Sequence, residues 1–167
     1  MQSSYDLLYA LKNMGYLKTL RDPLWWPNSG TFEVIVGAIL TQQTKWEKVE
    51  ASLTNLKEAG LLSLEALGRA EVGQIAVHIK PSGFYNTKAK RLQLLCQNML
   101  SDFHTFERFQ NEVTREWLLE QKGIGMESAD SILCYGCGRE VFVVDSYTAR
   151  LLEALGYHFE SYGQIQE

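Results

Sequence analysis

At 167 residues, 46% of them hydrophobic, the chain is long and apolar enough to bury a core, which excludes general disorder. No apolar run reaches the roughly 20 residues that a helix needs to cross a bilayer, and no basic-then-apolar leader opens the chain, so a soluble cytoplasmic protein is the default expectation. The net charge of −4 runs against a generic nucleic-acid binder, and three cysteines (Cys96, Cys134, Cys137) without a leader point to reduced thiols and not to a disulfide framework.

The charge is unevenly spread, since Lys80, Lys88, Lys90 and Arg91 share a stretch without an acid. In chain order, most segments read as helices with punctuated ends. Ser4 can cap a first helix with Leu7, Leu8, Leu11 and Met14 inward and Gly15 as its stop. A loop over 22–28 holds two prolines and the adjacent Trp25 and Trp26. Residues 32–40 are almost wholly apolar and read as a central buried helix, although periodicity alone does not separate them from a strand. Thr44 and Glu47 have capping-box spacing, with Val49, Leu53 and Leu56 inward behind them and a stop near Gly60. A shorter helix begins at Ser63, and Asn86 can cap a long one carrying Ala89, Leu92, Cys96, Met99 and Phe103 on one face. Helices over 114–120 and 126–137 flank a glycine turn. After a short extended run, 141–144, Asp145 stands at an N-cap position ahead of Leu151, Leu152 and Leu155. Ser161 and Gln164 repeat the capping-box spacing three residues from the end, so the chain is expected to continue beyond residue 167. The expected class is all-α.

The turn Gly123-Ile124-Gly125 carries the sharpest signal. Glycine permits a positive φ and close backbone approach, Ile124 can anchor the turn in the core, and the free N–H groups that open the next helix can hold a phosphate. Taken alone, Gly-x-Gly fits an ordinary helix–helix turn equally well, and a lone Asp145 is simply an N-cap.

Four stretches change that balance. Leu118 to Asp130, Leu40-Thr41-Gln42-Gln43-Thr44, Gly83 to Leu92 and Val143-Val144-Asp145-Ser146 together resemble the helix-hairpin-helix DNA glycosylase superfamily, the group of endonuclease III and the adenine and alkyladenine glycosylases. The resemblance runs in the same order over residues 30 to 155. It implies two helical lobes with a DNA-binding cleft between them: 30–139 as a six-helix lobe containing the hairpin at about 114–137, and 1–29 with 140–167 as the other, truncated at its C-terminal end.

The same resemblance implies the site. Asp145 matches the catalytic aspartate, whose fixed charge would stabilise the cationic sugar formed as the base leaves. Gln43 would enter the gap left by a flipped base. Lys88, Lys90, Arg91, Lys122, Gly123, Gly125 and Ser128 would meet DNA, mostly its phosphates. Family members that also cut the strand carry a lysine two residues after the second glycine; Glu127 stands there, so no Schiff base with the sugar is expected. Trp25, Trp26 and Trp46 look like the aromatic pocket of the endonuclease III-type 3-methyladenine DNA glycosylases, where electron-rich rings favour cationic alkylpurines. Hairpins of this family often hold a cation on backbone carbonyls, here those of Leu119, Gln121 and Ile124. No cofactor is expected for catalysis. Cys134 and Cys137 supply only two ligands, and the region of the family's iron–sulfur loop lies outside this chain, which leaves a cluster undetermined.

The implied partner is double-stranded DNA with damaged bases, bound by a monomer. Other base specificities, a non-enzymatic helix-hairpin-helix module and a helical scaffold without a nucleic-acid role are the competing readings. The carboxylate expected in the cleft opposes the second of these, and the negative net charge favours the third.

Overall fold

The computed structural model describes residues 4–15 and 25–166; the side chain of Ser4, with its expected cap, and residues 22–24 of the first loop lie outside the described residues. Every regular element among the described residues is helical: α1 (Ser4–Asn13), α2 (Phe32–Leu40), α3 (Trp46–Glu58), α4 (Leu64–Arg69), α5 (Val72–His78), α6 (Tyr85–Phe103), α7 (Phe106–Glu112), α8 (Arg115–Glu120), α9 (Met126–Ser131), α10 (Ser146–Ala154) and α11 (Tyr162–Gln166).

The apolar run 32–40 is the buried helix α2, with Val34 through Leu40 all inside. Fully burying each Val, Ile or Leu contributes roughly 1.5–3 kcal/mol, so this segment cannot lie at the surface. Around it pack α3, α6 and the segment after α9. The stripe expected on α6 is buried throughout: Ala89, Leu92, Cys96, Met99 and Phe103. Phe103, Phe109 and Trp117 meet edge-to-face at centroid distances of 5.0 to 5.8 Å and close the core beneath α7 and α8.

Ser63 and Thr114 cap α4 and α8 as their spacing suggests, each accepting from a backbone N–H of the first turn. Two other caps differ. Lys45, not Thr44, stands at the start of α3, because the Thr44 hydroxyl donates to the Ser82 carbonyl at 2.6 Å instead. Asn86 lies inside α6, which opens one residue earlier after Phe84 in a left-handed conformation (φ 44°).

The helix expected over 126–137 also changes character. It is α-helical to Ser131 and then widens into a π turn, Ile132–Gly136. The helix ends there, so the orphan carbonyls of Tyr135 and Gly136 accept from Gly30 N–H at 2.7 Å and Gln110 Nε2 at 2.7 Å. Such π turns occur frequently at functional sites. Past this turn only Val144 is a buried hydrophobic residue among the described residues.

Candidate active site

The hairpin is α8, the turn 121–125 and α9. Leu118 and Ile124 hold it to the core. Gly123 has φ 89°, and a Cβ there would run into the Nε, Cδ and Cζ atoms of Arg91. Glycine is therefore required at this position twice over, by backbone conformation and by close approach. Gly125 differs from expectation: its φ of −99° is ordinary and a Cβ would meet open space. It is the N-cap of α9 and brings no side chain to the first-turn N–H groups, which are left without a cap.

Gln42 locks this turn to the end of α2. Its Nε2 donates to the Gly123 carbonyl (2.9 Å) and to Ser128 Oγ (3.1 Å), and its Oε1 accepts from Arg91 Nη1 (3.1 Å). Arg91 Nε is buried without a partner. Gln42, Arg91, residues 123–128 and Tyr162 line one open cleft. Gln43 is exposed in a left-handed conformation (φ 54°). Of the adjacent amides, one is thus spent inside the protein and the other points out.

Lys90 and Lys122 are exposed, as a phosphate contact requires, but Lys88 is not. It is 2% exposed, and its Nζ donates to the Leu40 carbonyl, Thr44 Oγ1 and the Ser82 carbonyl, each at 2.8 Å. Lys88 lies four residues before Leu92 on the buried stripe of α6, a signal present in the sequence. Burial, then the neighbouring charge of Arg91, draws its ammonium down to about 8. The expectation that Lys88 meets phosphate is overturned: it pins the loop of Gln43 to the loop of Phe84. Phe84 was not anticipated as a site residue; it is 69% exposed at a backbone angle that bulky residues rarely adopt.

Asp145 caps α10. Its Oδ1 accepts from Tyr147 N–H (3.0 Å), Thr148 N–H (2.7 Å) and Thr148 Oγ1 (2.9 Å), which fixes the carboxylate and leaves Oδ2 open. Partial loss of water and the Asp145 charge hold the Glu127 carboxyl above its ordinary value. Burial, then Cys134 and Asp145, raise the Tyr135 phenol. Asp145 therefore acts electrostatically on Glu127 from the hairpin and on Tyr135 from the π turn.

The aromatic trio separates. Trp26 is half-buried, edge-on to Trp46 (5.8 Å) and tilted over Tyr135 (5.5 Å), whereas Trp25 is 74% exposed with φ 70°. Gly37 makes room for Trp26, since a Cβ there would come within 3.2 Å of its Cζ2. Tyr135, missed from the sequence, joins this group because the π turn sets its direction.

The carbonyls of Leu119, Gln121 and Ile124 lie at the hairpin, and that of Gln121 already accepts from Ile124 N–H (3.1 Å). A carbonyl has two lone pairs, so this bond leaves it able to serve a hard cation. No group of three or more His, Cys, Asp or Glu side chains comes together among the described residues. Burial pushes the thiols of Cys96 and Cys137 up to about 12 and about 11 and raises that of Cys134, so none is activated.

A helical hairpin with open N–H groups, a glutamine-locked cleft and a fixed carboxylate beside aromatic rings defines a class of DNA repair proteins. The chain belongs to the HhH-GPD superfamily of base excision DNA repair proteins, whose profile matches residues 36–167. It is 40% identical, over 99% of its length and 78% of the relative's, to a Methanocaldococcus jannaschii protein whose name assigns it to the DNA repair glycosylases. The crystal structure of H. pylori 3-methyladenine DNA glycosylase (MagIII) bound to 1,N6-ethenoadenine superposes with a TM-score of 0.92 at 49% identity, covering 98% of this chain and 79% of that one. An endonuclease III–DNA complex shares the fold (TM-score 0.77, 19% identity, 99% and 76% covered).

Proposed function

We propose that the protein is a monofunctional DNA glycosylase that releases alkylated purines such as 3-methyladenine. The observation that carries this is Asp145: a carboxylate anchored through one oxygen, with the other open, and coupled by charge to the hairpin and to the ring that packs on Trp26. As the N-glycosidic bond breaks, positive charge grows on the deoxyribose, and a preorganised anion opposite it lowers the barrier. Trp26, Trp46 and the exposed Trp25 would stack on a flipped, cationic base. The MagIII match at 49% identity supports that substrate class. Gln43 and Phe84, exposed on two loops that Lys88 ties together, would fill the gap in the duplex. The α9 N–H groups, Lys90, Arg91 and Lys122 would hold phosphates, aided by a cation on the hairpin carbonyls. In the same reading the duplex lies between the lobe of 30–139 and the lobe of 1–29 with 140–167, and a monomer suffices.

Glu127 supplies no amine for a Schiff base. Incubation with methylated duplex DNA is therefore expected to release free 3-methyladenine, and borohydride is expected to trap no covalent complex. Asp145→Asn keeps an oxygen for the cap, so its melting temperature should be close to wild type while single-turnover excision falls about a hundredfold or more. Near-wild-type excision by that variant would remove Asp145 from the chemistry. Tight binding without any base release would favour the non-enzymatic hairpin module.

A further inference from the structure

The carboxylate of Asp130 is wholly buried on α9, and Tyr162, one of the cleft residues, stands beside it. It accepts from Arg115 Nε (2.7 Å) and Nη2 (3.0 Å) on α8 and from Gln166 Nε2 (3.0 Å) on α11. Burial alone would raise Asp130, but these donors, Arg115 first, bring it below the ordinary aspartate range. A buried ion pair of this kind is weak evidence for stability in itself, since well-packed apolar residues often do as well. Its partners suggest a second role.

The bonds continue toward Asp145. Tyr162 Oη, which stands beside Asp130, accepts from the N–H of Val144 at 3.2 Å. Gln166 Nε2, while donating to Asp130, also donates to the carbonyl of Phe142 at 2.9 Å. Both contacts fall on the extended segment that ends at Asp145, one of them on the residue just before it. Val141 packs part-buried against the core at the start of this segment, Val144 is its buried side chain, and α10 contributes none. A small displacement of a preorganised group is costly to catalysis.

We infer that Asp130, acting through Tyr162 and Gln166, is a positioning residue: it couples the DNA-binding hairpin to the segment that carries Asp145 and sets the place of that carboxylate against DNA held by the hairpin. The inference rests on Asp145 as the catalytic carboxylate. Asp130 touches no DNA or reacting atom, and replacing it would strand the Arg115 charge and risk the fold. Tyr162→Phe is the sharper test, because it keeps the ring and removes only the hydroxyl.

In the whole chain, Tyr162→Phe is expected to speed amide exchange at Val144 and to slow single-turnover excision of 3-methyladenine, measured at saturating enzyme, by tenfold or more. Placed in an Asp145→Asn background, it should slow the residual reaction no further, because two residues acting through one step do not add. A general structural defect would instead slow both backgrounds by the same factor, and that result, or unchanged excision by Tyr162→Phe beside an impaired Asp145→Asn, would overturn the inference alone. Near-wild-type excision by Asp145→Asn would overturn the catalytic reading, and the positioning role with it.

Discussion

Lys88 and Lys90 stand two positions apart on α6 and have opposite fates. A turn of 3.6 residues sends Lys90 to solvent and Lys88 to the core, where it meets acceptors from the ends of α2 and of the turn before α6. Lys88→Met keeps the apolar stem but strands those acceptors, and it should cost about 2–4 kcal/mol of stability. The salt dependence of DNA affinity should stay as in wild type. Lys90→Ala should do the reverse, leaving thermal melts unchanged and flattening the log–log salt slope by about 0.9 if it neutralises one phosphate. Melts and salt titrations of both variants check this, and a flattened slope in Lys88→Met would return that lysine to the DNA surface. Phe84 and Tyr135 were hidden at this scale for a different reason. A single aromatic in a chain with 7 Phe and 8 Tyr residues carries no signal until backbone geometry gives it a direction.

At the scale of elements, periodicity and punctuation located most helices. α2 followed from an unbroken apolar run and α6 from its stripe. Thr44 failed as a cap because its side chain found a better partner far away in sequence, on Ser82, whereas Asn86 failed because α6 opens one residue before it. The hairpin turn was legible, but its glycines proved unequal. Gly123→Ala should lower stability by about 1–3 kcal/mol, from a positive φ and the displacement of Arg91, and should weaken DNA binding as Gln42 loses its lock. Gly125→Ala should melt like wild type and still bind DNA less well, since its Cβ would occupy only the space where a phosphate approaches. Melts beside binding titrations separate the two. Equal destabilisation by both would contradict the geometry.

For the whole molecule, the buried Asp130 network makes an acid-labile join between the hairpin and the C-terminal helix. A carboxyl held below its unfolded value gives stability that is present above about 3.8 and is lost as pH falls through the lower native value. At neutral pH, Asp130→Asn should therefore be less stable than wild type by about 3–5 kcal/mol, the usual cost of breaking a buried pair. That gap should narrow as the pH drops below about 4. Urea melts of both proteins from pH 7 to pH 3 would measure it, and a gap independent of pH would mean that the charge of Asp130 is not what Arg115 and Tyr162 read.

The sequence by itself determined the helical class, the burial of residues 32–40, the hairpin turn and the place of Asp145 ahead of a helix, because each depends on local spacing: apolar runs, cap residues and glycine punctuation. It also carried the family resemblance, which rests on short ordered motifs. Only the tertiary structure decided which side chains those motifs could still offer. Gln42 and Lys88 were claimed by acceptors 81, 48 and 44 positions away, Trp26 was set against a tyrosine turned by a π-helical widening, and the segment before Asp145 was tied to α9 through Gln166. A buried polar group must find a partner wherever the fold brings one, and that choice is made by packing between distant segments, which spacing along the chain does not encode.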